Sequence, residues 1–186
     1  MKRYKETLIV NLYSAPGGGK STTASRIFVY LKEHGYNCEL VTEYAKDITW
    51  EEAFNKLNNQ IYIFAKQHHR VWRVSDKVDV IITDSPILLS LVYGKDITSK
   101  TFETLVMEEY NKFPHINVYL ERMFPYDSVG RSQDENGAKL IEKDIHNLFD
   151  RLNLNFDLQL VGDNTSTNSI IELIDKKLTE LEKNIN

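Results

Sequence analysis

The chain has 186 residues, of which 41 % are hydrophobic and 27 % charged, the composition of one soluble globular domain spanning residues 1–186. That balance excludes a wholly disordered chain, a collagen-like one and a disulfide scaffold. A formal charge of −4 weighs against binding duplex nucleic acid through overall charge, although it leaves a local basic groove open.

Cys38 is the only cysteine, so neither an internal disulfide nor a cysteine-built zinc site is possible, and a reducing compartment is expected. After Lys2, Arg3 and Lys5 the first apolar run is about six residues, too short for a signal-peptide core or a bilayer span. No run of roughly 18 apolar residues occurs elsewhere, so no membrane partner and a cytoplasmic location are expected.

Taken in chain order, Thr7 to Tyr13 is a strand rich in apolar and β-branched residues. A glycine cluster follows, then a helix from about Lys20 to His34 that stops at Gly35. Cys38 to Thr42 is a second strand. Trp50 to Val74 reads as helix, broken near Asn58 and Asn59, with Ile61, Phe64, His68 and Val71 on one face and Trp72 in the core. Val78 to Thr83 is a buried-type strand ending at Asp84-Ser85-Pro86. Thr98 to Lys112 is helical, with Phe102, Leu105, Val106 and Tyr110 on one face. Ile116 to Leu120 is a fourth strand. Glu121 to Gly137 reads as a polar loop, Ala138 to Leu152 as helix, Phe156 to Val161 as a fifth strand and Ser169 to Leu181 as a closing amphipathic helix. Strands alternating with helices imply a parallel sheet covered on both faces, with ligands at the carboxyl ends of the strands.

Those ends carry the suspect residues. Ser14-Ala15-Pro16-Gly17-Gly18-Gly19-Lys20-Ser21 links the first strand to the first helix as a phosphate-binding loop would. Glycines let the backbone wrap closely and aim successive N–H groups inward, and the helix adds the positive end of its dipole. Lys20 suits the β- and γ-phosphates of ATP, the Ser21 hydroxyl suits Mg²⁺, and Thr22 can donate to an α- or β-phosphate. Ser14 stands where the strict pattern has its first glycine, so either the φ requirement is relaxed there or Ser14 caps the turn. Asp84, after an apolar strand, can hold a Mg²⁺-bound water or accept the acceptor's proton; alternatively it opens a turn before Pro86.

In element order and size the chain resembles the small-molecule kinases of the P-loop fold: thymidylate kinases, deoxynucleoside kinases and nicotinamide riboside kinases. VTEYAKD, TDSP and GRSQ together are also similar to phage-type kinases of 5-hydroxymethyluridine in DNA. The resemblance implies a three-layer α/β fold with strand order 2-3-1-4-5 and a lid at about 121–137. It implies Glu43 as a competing general base and Arg131, then Arg122, closing on the transferring phosphoryl group. It also places the acceptor beside the helix before the third strand, where Gln67 would read a base edge and Arg70 meet a phosphate or sugar. Tyr44, Phe64 and Tyr93 would stack on the base, and Gly162 with Asn164 would border the adenine. A basic helix face such as 66–73 is, however, ordinarily solvated, and aromatic residues at helical spacing are ordinarily core. His68 and His69 are adjacent and point to different faces, so they make a poor metal pair.

The expected activity is therefore ATP- and Mg²⁺-dependent phosphorylation of a hydroxyl on a nucleoside-like acceptor, which includes 5-hydroxymethyluracil within DNA. Two alternatives stand beside it. One is a kinase of a free nucleoside, nicotinamide riboside or a nucleotide; the other is a P-loop ATPase or switch that transfers nothing. Nothing in the sequence sets the oligomeric state.

Overall fold

All six residues of the first strand, β1 (Leu8–Tyr13), are buried, as an apolar run covered on both faces must be. The computed structural model describes residues 6–95, 99–122, 135–163 and 166–183. After β1 come α1 (Lys20–Glu33), β2 (Cys38–Val41), α2 (Tyr44–Trp50), a 3-10 turn (Phe54–Asn58) and α3 (Gln60–Trp72). β3 (Val80–Thr83), α4 (Leu89–Tyr93), α5 (Lys100–Tyr110) and β4 (His115–Glu121) follow. α6 (Glu135–Arg151), β5 (Leu158–Val161) and α7 (Ser166–Lys183) complete the chain. The sheet is parallel, in the expected order β2-β3-β1-β4-β5.

Side chains of β1 alternate between two cores. Leu8, Val10 and Leu12 meet Ala24, Ile27 and Leu31 of α1 and Ile170 and Ile174 of α7. On the opposite face Ile9 packs with Val71 of α3, and Tyr13 with Val106 of α5 and Ile145 and Phe149 of α6. Each such aliphatic side chain contributes about 1.5–3 kcal/mol relative to exposure. α1 ends where glycine permits it. Gly35 takes φ 79°, its N–H donates to Lys32 O, and Tyr36 N–H donates to Leu31 O, a Schellman closure.

Several expectations are corrected. The helix read over Trp50 to Val74 is broken near Asn58 and Asn59 as expected, but the part before the break is the last residue of α2 and a 3-10 turn, and only α3 after it is helix. Glu52 takes φ 55° after α2, and the Asn59 side chain accepts from Tyr62 N–H to start α3 afresh. The buried stripe of α3 is Gln60, Ile63, Phe64, Gln67 and Val71. Ile61 and Trp72 lie off that stripe and are both 61 % exposed, so Trp72 is not core. Leu105 is also exposed; α5 buries Phe102, Val106 and Tyr110. α2 and the short α4 had no counterpart in the sequence reading. Glu135 to Gly137 belong to α6 rather than to the loop, while residues 123–134 lie outside the described residues. No described helix is long and apolar enough to cross a membrane.

A polar network links β1, β4 and the end of α5. His115 stacks on Tyr110 at 3.7 Å, and its Nε2 lies 2.6 Å from Tyr110 O, so Nε2 carries the proton and donates. Nδ1 then accepts from Asn11 Nδ2 at 2.9 Å. Asn117 accepts from the same Asn11 amide and donates to Tyr110 Oη at 2.8 Å. Burial lowers the His115 pKa from 6.5 to about 4. The unfolded chain therefore takes up this proton first on acidification. The stability that neutral His115 contributes is complete above pH 6.5 and is lost as the pH falls towards 4. Urea unfolding across that window should show a shallower pH dependence for His115→Gln than for the wild type; equal slopes would contradict this account of the network.

Candidate active site

β1 delivers the chain into the loop Ser14 to Gly19, and two glycines there hold backbone that other residues avoid. Gly17 has φ 90° and Gly19 φ 81°. Gly18 is needed for space, because a Cβ on it would lie 1.5 Å from Ser14 Oγ. Ser14 is not among the positive-φ residues, and its buried hydroxyl has no hydrogen-bond partner among the described residues. The relaxed conformation is thus the outcome at Ser14, and it caps nothing. Gly19 precedes α1 with no side-chain cap, so the first N–H groups of α1 face the loop's mouth. Lys20 Nζ donates to Ser14 O at 2.8 Å and to Ala15 O at 3.3 Å.

The sheet register brings in the acids. Asn11 of β1 and Val41 of β2 both pair with Thr83 of β3, so the segments leaving the three strands emerge side by side. Asp84 follows β3, is 5 % exposed, and accepts from Ser21 Oγ at 2.6 Å through Oδ2. Its Oδ1 is buried and has no partner among the described residues. Glu43 follows β2. Burial raises its pKa from the ordinary glutamate value; Lys20 opposes the rise and the charge on Asp84 adds to it. Burial, with the charge of Glu43, likewise raises the pKa of Tyr93.

These groups line one cavity of about 1000 Å³. Pro16 to Thr22 form one end, Glu43 and Asp84 lie on its wall, and α2, the 3-10 turn, α3 and α4 supply the remainder. Gln67 reaches the cavity, but its amide is bound to the backbone: Oε1 accepts from Tyr44 N–H at 2.9 Å and Nε2 donates to Thr42 O at 3.3 Å. Gln67 therefore fixes the segment after β2. Tyr44 and Arg70 are not among the lining residues. Arg70 pairs with Asp47, donates to Thr42 O and lies over the Tyr44 ring, whose hydroxyl is 2.6 Å from that of Tyr62. Arg122 sits just past β4, its charge near Tyr119. Arg131 and Asn164 lie outside the described residues. Gly162 backs the loop, and a Cβ on it would lie 2.6 Å from Gly18 O. The sequence reading missed Trp50 and Phe54, exposed aromatic residues on the cavity wall. The available signal was two aromatic residues flanking the Glu51-Glu52 turn.

Ser21 and Asp84 offer hard oxygen donors, one of them buried and without a partner among the described residues, which suits Mg²⁺ held by one or two protein groups together with phosphates. Among the described residues no group of three His, Cys, Asp or Glu stands ready to hold a metal by itself.

The profile of a family described as AAA domain matches residues 9–161, and the chain belongs to that family. Among solved structures it is similar to the NadR protein in complex with NR, with TM-score 0.61 and 14 % identity. That match covers 85 % of this chain and only 44 % of the other. Deoxyadenosine kinase from M. mycoides with bound dATP matches with TM-score 0.53 and 19 % identity, covering 92 % and 99 % of the two chains. APS kinase from Mycobacterium tuberculosis matches with TM-score 0.50 and 14 % identity, covering 91 % and 99 %. At these identities the likeness is one of fold, and that fold is the P-loop kinase fold that the sequence resembles. No curated protein matches.

A raised pKa at Glu43 means that the folded state binds its proton more readily than the unfolded chain. Its contribution to stability is then complete below pH 4.5 and is lost as the pH rises through the folded value. Glu43→Gln should therefore raise Tm at pH 7 and flatten the fall in stability above pH 4.5. A lower Tm at pH 7 would show that the carboxylate is not strained where it stands.

Proposed function

We propose that the chain is an ATP-dependent phosphotransferase acting on a hydroxyl of a small nucleoside-like acceptor. One observation carries the reading: the phosphate loop, the Ser21–Asp84 contact and the carboxylate of Glu43 face the same cavity. The shared fold with deoxyadenosine kinase and APS kinase supports it.

The N–H groups of Gly17 to Lys20, the Lys20 ammonium and the Thr22 hydroxyl bind the triphosphate of ATP, while Ser14, Ala15 and Pro16 shape the start of the loop. Ser21 and Asp84 hold Mg²⁺, which when bound neutralises charge on the β- and γ-phosphates. Glu43 orients the acceptor hydroxyl and takes its proton. The hydroxyl oxygen forms a bond to the γ-phosphorus as the bond to the β,γ-bridging oxygen breaks, and ADP leaves with that electron pair. The proton on Glu43 then passes to solvent. Asp84 is bound to Ser21, so of the two acids Glu43 is assigned as base and Asp84 as metal ligand. Arg122 and Arg131 are assigned to the oxygens of the transferring group, whose spread charge matches paired guanidinium donors. Positioning and fixed charge supply most of the rate.

Lys20→Ala should lower transfer of labelled phosphate from ATP by on the order of 10²–10³ or more, with the fold retained by circular dichroism. Activity within a factor of two of wild type would remove the loop from the mechanism, and hydrolysis indifferent to any acceptor would favour an ATPase or switch. The rate should fall on acidification through a pKa above that of an ordinary glutamate. Glu43→Gln should remove that limb and cost about 10²–10⁴ in single-turnover rate. If instead Asp84→Asn alone abolished the limb, the assignments of the two acids would be exchanged.

A further inference from the structure

A general base works only if its carboxylate is held towards the acceptor, and the helix that Glu43 precedes does not hold it so. Glu43 stands at the N-cap of α2 with φ −66° and ψ 124°, yet its side chain makes no capping hydrogen bond. A carboxylate at this position is ordinarily drawn to the N–H groups of the helix's first turn. Here it lies on the cavity wall instead, where burial disfavours its charge.

What holds it there comes from α3. The peptide groups before and after the Cα of Glu43 are each planar. Fixing both planes therefore fixes φ and ψ between them, and with these the direction of the Cα–Cβ bond. Gln67 grips both planes. Its Nε2 donates to Thr42 O at 3.3 Å, in the plane before Glu43, and its Oε1 accepts from Tyr44 N–H at 2.9 Å, in the plane after it. One partner can only accept and the other can only donate, so the grip needs a side chain with both functions. Gln67 is 4 % exposed and lies in the buried stripe of α3 between Phe64 and Val71, whose side chains are packed into two separate cores. Arg70 adds a second bond to Thr42 O at 3.1 Å, reaches Thr42 Oγ1 at 3.3 Å and is itself held by Asp47 of α2.

We infer that Gln67 is a positioning residue: it clasps the peptide groups on both sides of Glu43, with Arg70 reinforcing the first, and so sets the direction in which the Glu43 side chain enters the cavity. This role differs from the one the resemblance implied, in which Gln67 reads the edge of the acceptor's base. Its kinetic consequence rests on the proposed phosphotransferase reading, whereas the grip itself does not.

Amide hydrogen exchange of the full chain, followed by NMR, tests the grip without catalysis. Gln67→Met keeps the length of the side chain and removes both functions. It should speed exchange of Tyr44 N–H by about tenfold or more while the amides of β3 keep their protection. Unchanged exchange at Tyr44 would overturn the inference. Transfer from labelled ATP tests the consequence, with deoxyadenosine, deoxycytidine, thymidine, 5-hydroxymethyldeoxyuridine and nicotinamide riboside as the panel and the best acceptor carried forward. Gln67→Met should lower kcat by about tenfold or more, with KM for ATP and for the acceptor changed less than about threefold. Arg70→Met should show a smaller loss of kcat with the same constancy of KM. In a Glu43→Gln background Gln67→Met should change the remaining rate by less than about twofold, because the carboxylate it positions is no longer there. Should Gln67→Met not fold, Arg70→Met takes its place in that comparison.

A raised acceptor KM at unchanged kcat would return Gln67 to reading the acceptor. Losses that multiply in the double variant would show a general effect on packing. Either result overturns the inference and keeps the phosphotransferase. If the wild type passes label to no acceptor while Tyr44 exchange responds to Gln67→Met, the phosphotransferase reading falls and the grip on Glu43 stands.

Discussion

Parallel pairing of β2, β3 and β1 in one register is the constraint on which the site depends. Thr83 pairs with both Asn11 and Val41, so the three segments leaving these strands share one edge of the sheet. Ser21, Asp84 and Glu43 belong to those segments and are far apart in sequence. A slip of one residue in any pair would turn a core side chain towards the opposite layer, and the two cores of β1 forbid that. Packing energy spread over many aliphatic side chains thus holds a few oxygens in place.

The same sheet separates two ways of burying polar groups. Between β1 and β4, Asn11, His115, Asn117 and Tyr110 satisfy one another, and the histidine is kept neutral. At the upper edge, Asp84 keeps one buried oxygen unpartnered among the described residues, and Glu43 is held where its charge is disfavoured. Polar groups left short of partners in a packed protein cost stability, and they cluster where a ligand can complete them. Gly18 and Gly162 show the matching economy of space, since neither could carry a side chain without moving the loop.

Much of the fold was legible in the sequence because its signals are local. The apolar strand before a glycine loop, the glycine after α1 and the alternation of strand and helix each report on a few neighbouring residues. The strand order came from the resemblance and was matched by the sheet. The stretch from Trp50 to Val74 was legible only in part. Its helical periodicity and the break near Asn59 were visible, but the turn at Glu52 was not, and it leaves each piece rotated separately. Trp72, expected in the core, is exposed because Val71 occupies the buried position beside it.

By itself, the sequence determined the chemistry of the loop: glycines, a lysine and a hydroxyl in succession at a helix start can cradle phosphate wherever they fold, because the needed N–H groups are contiguous. It also named Asp84, which follows an apolar strand, while Glu43 came from the resemblance. Which side chains share the cavity was decided by the tertiary structure alone. Tyr44 and Arg70 look eligible in sequence but turn outward to each other and to Asp47, Gln67 is bound to the backbone, and Trp50 and Phe54 line the wall instead. The reason is that a helix's facing is set by what it packs against, and no short window of sequence records that.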